Sequence, residues 1–298
     1  MNGPVRKSYS APGGSLSVVH FGDDSKPLDM LFLHANGFHG LAYRTLLEPL
    51  AKETGAHIGA VDLRGHGLTD LPIDPGALNN WKCFEDDILA FLGAHVSAPI
   101  AIAGHSLGAV ISLLVAARAP QKVKALTCFD PVYIPQPLRS VTYFKAGRKW
   151  LISKLALTRN AAKRRAVFAS REAAFKRYRG RGPFKGVSDG ALRDYLEAGL
   201  MERNDGVKLT CEPAWEAAIY VAQARNIFKA AKRAPAHSRI VLASAFGPAA
   251  PSMQKKISGI VGAQNVEKHE DRTHFFPLQD PDFARKYLRA ALKAKSEG

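Results

Sequence analysis

The chain has 298 residues, 46% of them hydrophobic, which is enough to bury a full core in one large domain or two small ones. Its net charge is +16, and no apolar run reaches the roughly 18 residues of a membrane-spanning helix. Cys83, Cys128 and Cys211 are odd in number and far apart, so they read as free thiols with no disulfide frame and no zinc spacing.

The first twenty residues lack an apolar signal region and predict an opening hairpin with Leu16–Phe21 as one strand. A cytoplasmic location is expected from these absent signals. From Leu28 to Ala119, short apolar runs alternate with helical segments, the pattern of a mostly parallel sheet with helices on both faces. The strand His57–Val61 leads into Asp62-Leu63-Arg64-Gly65-His66-Gly67, a turn expected to be tied by an Asp62–Arg64 pair. Pro99–Ala103 has the apolar character of a buried parallel strand, and Ala109–Ala119 that of a buried helix stopped by Pro120. Between them stands Gly104-His105-Ser106-Leu107-Gly108.

Strand, Gly-x-Ser-x-Gly and helix together form a nucleophile elbow. The glycines make room for a sharp, strained turn that presents the Ser106 hydroxyl at a helix N-terminus, where developing negative charge is favoured. A serine hydroxyl needs a base. Of ten histidines, His20, His57, His95 and His237 fall in or beside ordinary strand, helix or linker segments. His105 adjoins the nucleophile with its side chain expected to point away, and His66 belongs to the turn. His274 lies in the loop between a last strand near Asn265–His269 and a final helix Pro281–Lys293, where the base of a Ser…acid…His order belongs. His269 is the alternative.

With these pieces in order, the chain resembles the α/β-hydrolase family nearly end to end. The matching motifs are Leu31-Phe32-Leu33-His34-Ala35-Asn36-Gly37-Phe38, the Asp62–Gly67 turn, the Ser106 elbow and Thr273-His274-Phe275-Phe276-Pro277. The resemblance implies an oxyanion hole from the backbone N–H groups of Asn36 and Leu107; losing one such donor costs on the order of 100- to 1000-fold in rate. It also implies an acid in a Gly-x-x-Asp-x-x-x-Pro arrangement after the strand Arg239–Ala243. Aligning Pro251 with the family proline puts Gly247 at that position, and no carboxylate occurs from Ala234 to Gly262. Asp130, ending the strand Val123–Phe129, is the replacement, since some relatives, certain haloalkane dehalogenases among them, take their acid from this strand end. Glu212 is a weaker second candidate, and Asp271 and Glu267 are expected to face solvent.

About 105 residues, Pro131–Pro235, separate those two strands, too many for a loop. The resemblance implies a mainly helical cap over a core of residues 1–130 and 236–298. The segment carries 22 Lys and Arg against 8 Asp and Glu, so nearly all of the basic excess belongs to it. Its densest part, Arg159–Lys185, places Val167, Phe168, Phe175 and Tyr178 at the spacing of one helix face. Three readings stay open for it: a solvated amphipathic helix, attraction of an anionic substrate or membrane surface, and nucleic-acid binding without any recognised module. A long helix is expected from Pro213 to about Arg233, with Trp215 between cap and core or lining the pocket.

The expectation is a serine hydrolase of a carboxylic ester, or of a thioester or amide, working through an acyl-enzyme with no metal or organic cofactor. Ser106, His274 and Asp130 would form its triad. The alternatives are a carbon–carbon bond hydrolase and a non-catalytic ligand- or partner-binding relative.

Overall fold

The protein is described from a computed structural model, which covers residues 3–132, 138–243 and 251–295. The chain opens with the expected hairpin, β1 (Val5–Ala11) and β2 (Gly14–Phe21), paired antiparallel. Four strands follow, β3 (Met30–Leu33), β4 (Ile58–Val61), β5 (Ile100–His105) and β6 (Val123–Phe129). They alternate with α1 (Arg44–Thr54), α2 (Lys82–His95) and α3 (Leu107–Arg118). Each of β3 to β5 is buried along its whole length, which is why these runs read as uninterrupted apolar sequence rather than as alternation.

The segment after β6 holds α4 (Leu138–Val141), α5 (Lys145–Lys154), α6 (Ala156–Ala162), β7 (Val167–Phe168), α7 (Arg171–Tyr178), α8 (Asp189–Gly199), β8 (Leu200–Arg203), β9 (Gly206–Leu209), α9 (Pro213–Val221) and α10 (Ile227–Ala231). It is mainly helical but contains its own antiparallel sheet, β7-β9-β8. Val167 and Phe168 therefore sit on a strand, not on the helix that carries Phe175 and Tyr178 as the spacing suggested. The β-branched and aromatic character of this pair suits a strand, and Ser170 caps a separate helix by accepting from the Ala173 N–H. The long helix expected from Pro213 is likewise two helices, interrupted over residues 222–226.

The chain then returns to the sheet through β10 (Ser238–Leu242), α11 (Pro251–Val261), β11 (Val266–Lys268), α12 (Phe276–Gln279) and α13 (Pro281–Lys293). The large sheet runs β1-β2-β4-β3-β5-β6-β10-β11, antiparallel in its first two pairings and parallel from β4 onward. Apolar cores fill both faces, with α2 and α3 among the residues on one and α1 and α13 on the other. The parallel register brings the C-terminal ends of β5, β6 and β10 side by side, the edge where an α/β sheet places its chemistry. The stretch Ser244–Ala250, which holds Gly247, lies outside the described residues.

Candidate active site

Ser106 has φ 57° and ψ −113°, a backbone strain that a non-glycine residue tolerates only when its neighbours hold it. Those neighbours are Gly104 and Gly108. A Cβ on Gly104 would collide with the Gly108 backbone, and one on Gly108 with the Leu33 carbonyl. The elbow can therefore press against β3 only because both positions lack side chains. The Ser106 N–H is anchored to the Phe129 carbonyl at 2.9 Å, fixing the turn to the end of β6.

The structure brings Ser106, His274 and Asp130 together. His274 Nε2 lies 3.0 Å from Ser106 Oγ, and His274 Nδ1 lies 2.6 Å from Asp130 Oδ2. Asp130 is fully buried, also with positive φ (41°), and its second oxygen accepts the Ala243 N–H at 3.0 Å. Its own N–H donates to the Val241 carbonyl at 2.7 Å, so the end of β10 holds the residue at two points. Since Oδ2 is an acceptor, Nδ1 of His274 carries the proton and Nε2 faces the serine as a base. Ser106 is nearly buried and His274 is partly exposed, so the pair is reached from one side.

The other carboxylates stand elsewhere. Glu212 pairs with Lys208 at 2.7 Å, Glu267 accepts from the Tyr287 hydroxyl at 2.6 Å, and Asp271 faces solvent beside Arg272. Asp62 does not pair with Arg64. It is buried, takes Arg6 as its cation and accepts the Gly40 and Leu68 N–H groups, whereas Arg64 clamps Asp87 with two bonds of 2.9 and 2.6 Å. The buried carboxylate thus organises the turn through backbone donors, and Arg64 finds its partner on α2. Burial pushes the Cys83 thiol up to about 11, and the Cys128 and Cys211 thiols also upward, so none of the three is an activated nucleophile.

Asn36 and Leu107 line the same cavity as Ser106 and His274, and neither backbone N–H is bonded to a described residue. Leu107 opens α3, where the first amides have no partner within the helix. The Asn36 side chain donates to the Glu216 carbonyl at 3.0 Å, and the Gly37 N–H donates to His66 Nε2 at 3.1 Å. His66 is therefore more than a turn residue, since it fastens the loop after β3. Burial holds it neutral, with its pKa lowered to about 4.

Two further groups that sequence reasoning passed over complete the frame. His105 is buried with its pKa well below the usual value, and its Nε2 donates to the His274 carbonyl at 2.7 Å. Its Nδ1 must then accept, from the Tyr43 hydroxyl at 2.7 Å, and the Tyr43 oxygen takes the Ala35 N–H at 3.2 Å. One chain of hydrogen bonds so links the Asn36 loop to the His274 loop. The second is Arg164, partly buried and held against Glu216 (2.9 Å), Tyr195 (2.6 Å) and Tyr178 (3.1 Å), with Tyr195 donating to the Gly37 carbonyl at 3.2 Å. For His105 the sequence signals only a place inside the elbow, because the carbonyl it binds lies 169 residues away.

Over Ser106 lies a cavity of about 540 Å³, walled in part by Leu155, Leu157, Ile219, Tyr220 and Phe275. No described residue of its wall is Lys, Arg, Asp or Glu, so the basic excess of the segment does not face the serine. Trp215 packs on Phe84 and donates to the Arg64 carbonyl, outside this wall.

Doubly wound sheet, serine elbow and histidine–carboxylate pair define a hydrolase-type α/β protein. The sequence profile of the alpha/beta hydrolase family matches residues 30–286, and the chain belongs to that family. It is similar to a probable alcohol acetyltransferase of Wickerhamomyces anomalus, 26% identical over 199 residues, 67% of this chain and 52% of that protein. It is also similar to the pimeloyl-[acyl-carrier protein] methyl ester esterase of Chromobacterium violaceum, 38% identical over 99 residues, 33% and 35% of the two chains. The chain thus spans about half the length, or less, of the curated relatives it matches. Among solved structures, the thioesterase domain of the curacin biosynthetic pathway (TM-score 0.74, 17% identity, 96% and 100% covered) and E-2-(acetamidomethylene)succinate hydrolase (0.74, 20%, 98% and 100%) share the fold.

Proposed function

We propose that the protein is a serine hydrolase that cleaves a neutral carboxylic ester through an acyl-enzyme. The observation carrying this reading is the unbroken line from Asp130 through His274 to Ser106, opening into an apolar cavity with two backbone N–H groups that bond to no described residue. His274 Nε2 takes the proton of Ser106 as Oγ attacks the ester carbonyl, and the amides of Asn36 and Leu107 receive the developing oxyanion. The same proton passes to the departing alkoxide, which leaves as an alcohol. Water, deprotonated by His274, then attacks the acyl-serine; the acid departs and Ser106 recovers its proton. Residues 131–235 act as a cap that shapes the pocket over a core of residues 1–130 and 236–298, and the uncharged wall favours apolar acyl or alcohol groups over anionic ones.

Asp130 supplies the carboxylate that the Gly247 position lacks, and this weighs against a non-catalytic binding protein. An alcohol in place of water would make the same acyl-enzyme an acyltransferase, a second reading favoured by the matches to alcohol acetyltransferases. The test is intact-mass analysis after a fluorophosphonate probe, followed by acetyl to octanoyl p-nitrophenyl esters with and without ethanol. One adduct on the native chain and none on Ser106→Ala is expected, with ester turnover lost in the variant. Absence of an adduct on folded native protein refutes the reading, and ethyl ester formation outrunning acid release would replace hydrolysis by transfer.

A further inference from the structure

The basic excess of the segment is not one uniform field. From residue 172 to residue 205, seven Lys and Arg stand among six Asp and Glu. Arg164 is held by Glu216, Arg171 by Glu202, Arg179 by Asp189 and Arg193 by Glu172, while Arg165 and Arg193 also stack over Phe168 and Phe175. Between residues 172 and 205, acidic side chains thus nearly balance the basic ones.

The preceding part differs. From residue 131 to residue 171 the chain has ten Lys and Arg and no Asp or Glu. Lys145, Lys149, Lys154, Arg159 and Lys163 are exposed, and none forms an ion pair with a described residue. The same stretch carries four of the seven exposed large hydrophobic side chains of the described residues: Tyr143, Phe144 (71% exposed), Trp150 and Leu157. On α5 the exposed positions fall on one side, so Trp150 stands between Lys149 and Lys154, with Lys145 four residues before Lys149. Leu157 is both part of this surface and part of the wall of the cavity over Ser106.

Aromatic and aliphatic side chains held out beside unpaired lysines are the chemistry of a helix lying in a lipid headgroup layer. Rings and leucine enter the boundary while the ammonium groups meet lipid phosphates. A soluble acidic partner accounts for the lysines but leaves Phe144 and Trp150 facing water. From this juxtaposition we infer that α5 and the turns flanking it dock the protein on an anionic bilayer surface, with Leu157 at the mouth where an ester passes from lipid to Ser106. The last clause rests on the ester-hydrolase reading; the docking does not.

Trp150 supplies its own probe, because Trp81 and Trp215, the other two tryptophans, are buried. The full chain is mixed with phosphatidylcholine vesicles, with and without phosphatidylglycerol, and followed by co-sedimentation and tryptophan emission. Only the anionic vesicles should bind it, with a blue shift that Trp150→Phe removes and that high salt reverses. Lys149→Glu/Lys154→Glu and Phe144→Ser/Trp150→Ser should each weaken binding roughly tenfold or more while circular dichroism is unchanged. Neither readout uses activity, so docking is tested even on a catalytically silent protein. It is overturned by no binding to anionic vesicles, or by binding that both double variants leave intact. Equal binding to polyglutamate without a blue shift also overturns it in favour of a soluble acidic partner. A blue-shifted emission that grows with protein concentration, with doubled mass in light scattering, would assign the patch to a second copy instead.

Discussion

Asp130 sits in an arrangement that only a carboxylate satisfies. Its two oxygens accept two donors at once, Ala243 N–H and His274 Nδ1–H, and its positive φ is one that Asp and Asn tolerate better than most residues. Asp130→Asn should therefore fold normally yet hold the wrong proton pattern. Its single carbonyl oxygen stays with Ala243, and its amide turns a donor toward His274, which must then carry its proton on Nε2. That tautomer cannot take the proton of Ser106. The expected loss is on the order of 10⁴-fold in kcat with KM little changed, read by steady-state hydrolysis of a p-nitrophenyl ester. A loss below tenfold would remove Asp130 from the reaction. The residue scale is also where sequence reading reached furthest. Ser106 and His274 were legible because strand, elbow and loop order constrain them, and Asp130 because the usual acid position was empty.

At the scale of elements, sequence reading succeeded where one apolar pattern governs one strand or helix, and failed where the deciding contact is distant. Final helix α13 spans Pro281–Lys293 as expected, because Asp280 caps it and Pro281 pre-sets its first turn. The helix supposed to hold Phe168 fails because β9, forty residues on, offers Val167–Phe168 a strand partner that local spacing cannot announce. The same holds for Arg164, which sits in a basic run but is the cation of a buried cluster. Glu216, its partner, presents its backbone carbonyl to Asn36, so the pair braces the loop after β3 from outside the sheet. Removing the cation alone strands a buried carboxylate, a cost of about 3–5 kcal/mol. Arg164→Met should lower unfolding stability by that order, and Arg164→Met/Glu216→Gln should recover a substantial part, because the stranded charge is gone. Urea unfolding of the four members of this cycle measures the coupling. Simple additivity would show that the two side chains do not act together.

The whole molecule buries an unusual number of neutral imidazoles. His20 is lowered to about 4 by burial and by His57, and His66 to about 4 by burial. His34, His39 and His105 are shifted the same way, chiefly by burial. Their hydrogen bonds depend on the neutral ring. His34 Nε2 accepts the Leu63 N–H and His66 Nε2 the Gly37 N–H, while His105 Nδ1 accepts from Tyr43, and each would lose that acceptor on protonation. In the unfolded chain these rings take up protons near pH 6.5, but in the folded protein His20 and His66 do not until about pH 4. Between those values the unfolded state binds more protons, so stability is complete above pH 6.5 and declines as pH falls toward 4. Each ring contributes up to about 1.4 kcal/mol per pH unit in that window. Several acting together approach the roughly 5–15 kcal/mol that stabilises a whole domain. Urea midpoints measured from pH 7.5 to 4.5 should thus stay flat at first and then fall steeply below about pH 6, the several histidines outweighing Asp194, which burial raises to about 6 and which acts in the opposite sense. Because His34, His66 and His105 hold the loops that frame Ser106, fluorophosphonate labelling should decline over the same interval. A midpoint constant down to the lowest pH of the series would mean that these histidines are solvated or already charged in the native state, and the hydrogen-bond directions assigned around Asn36 and His274 would fall with it.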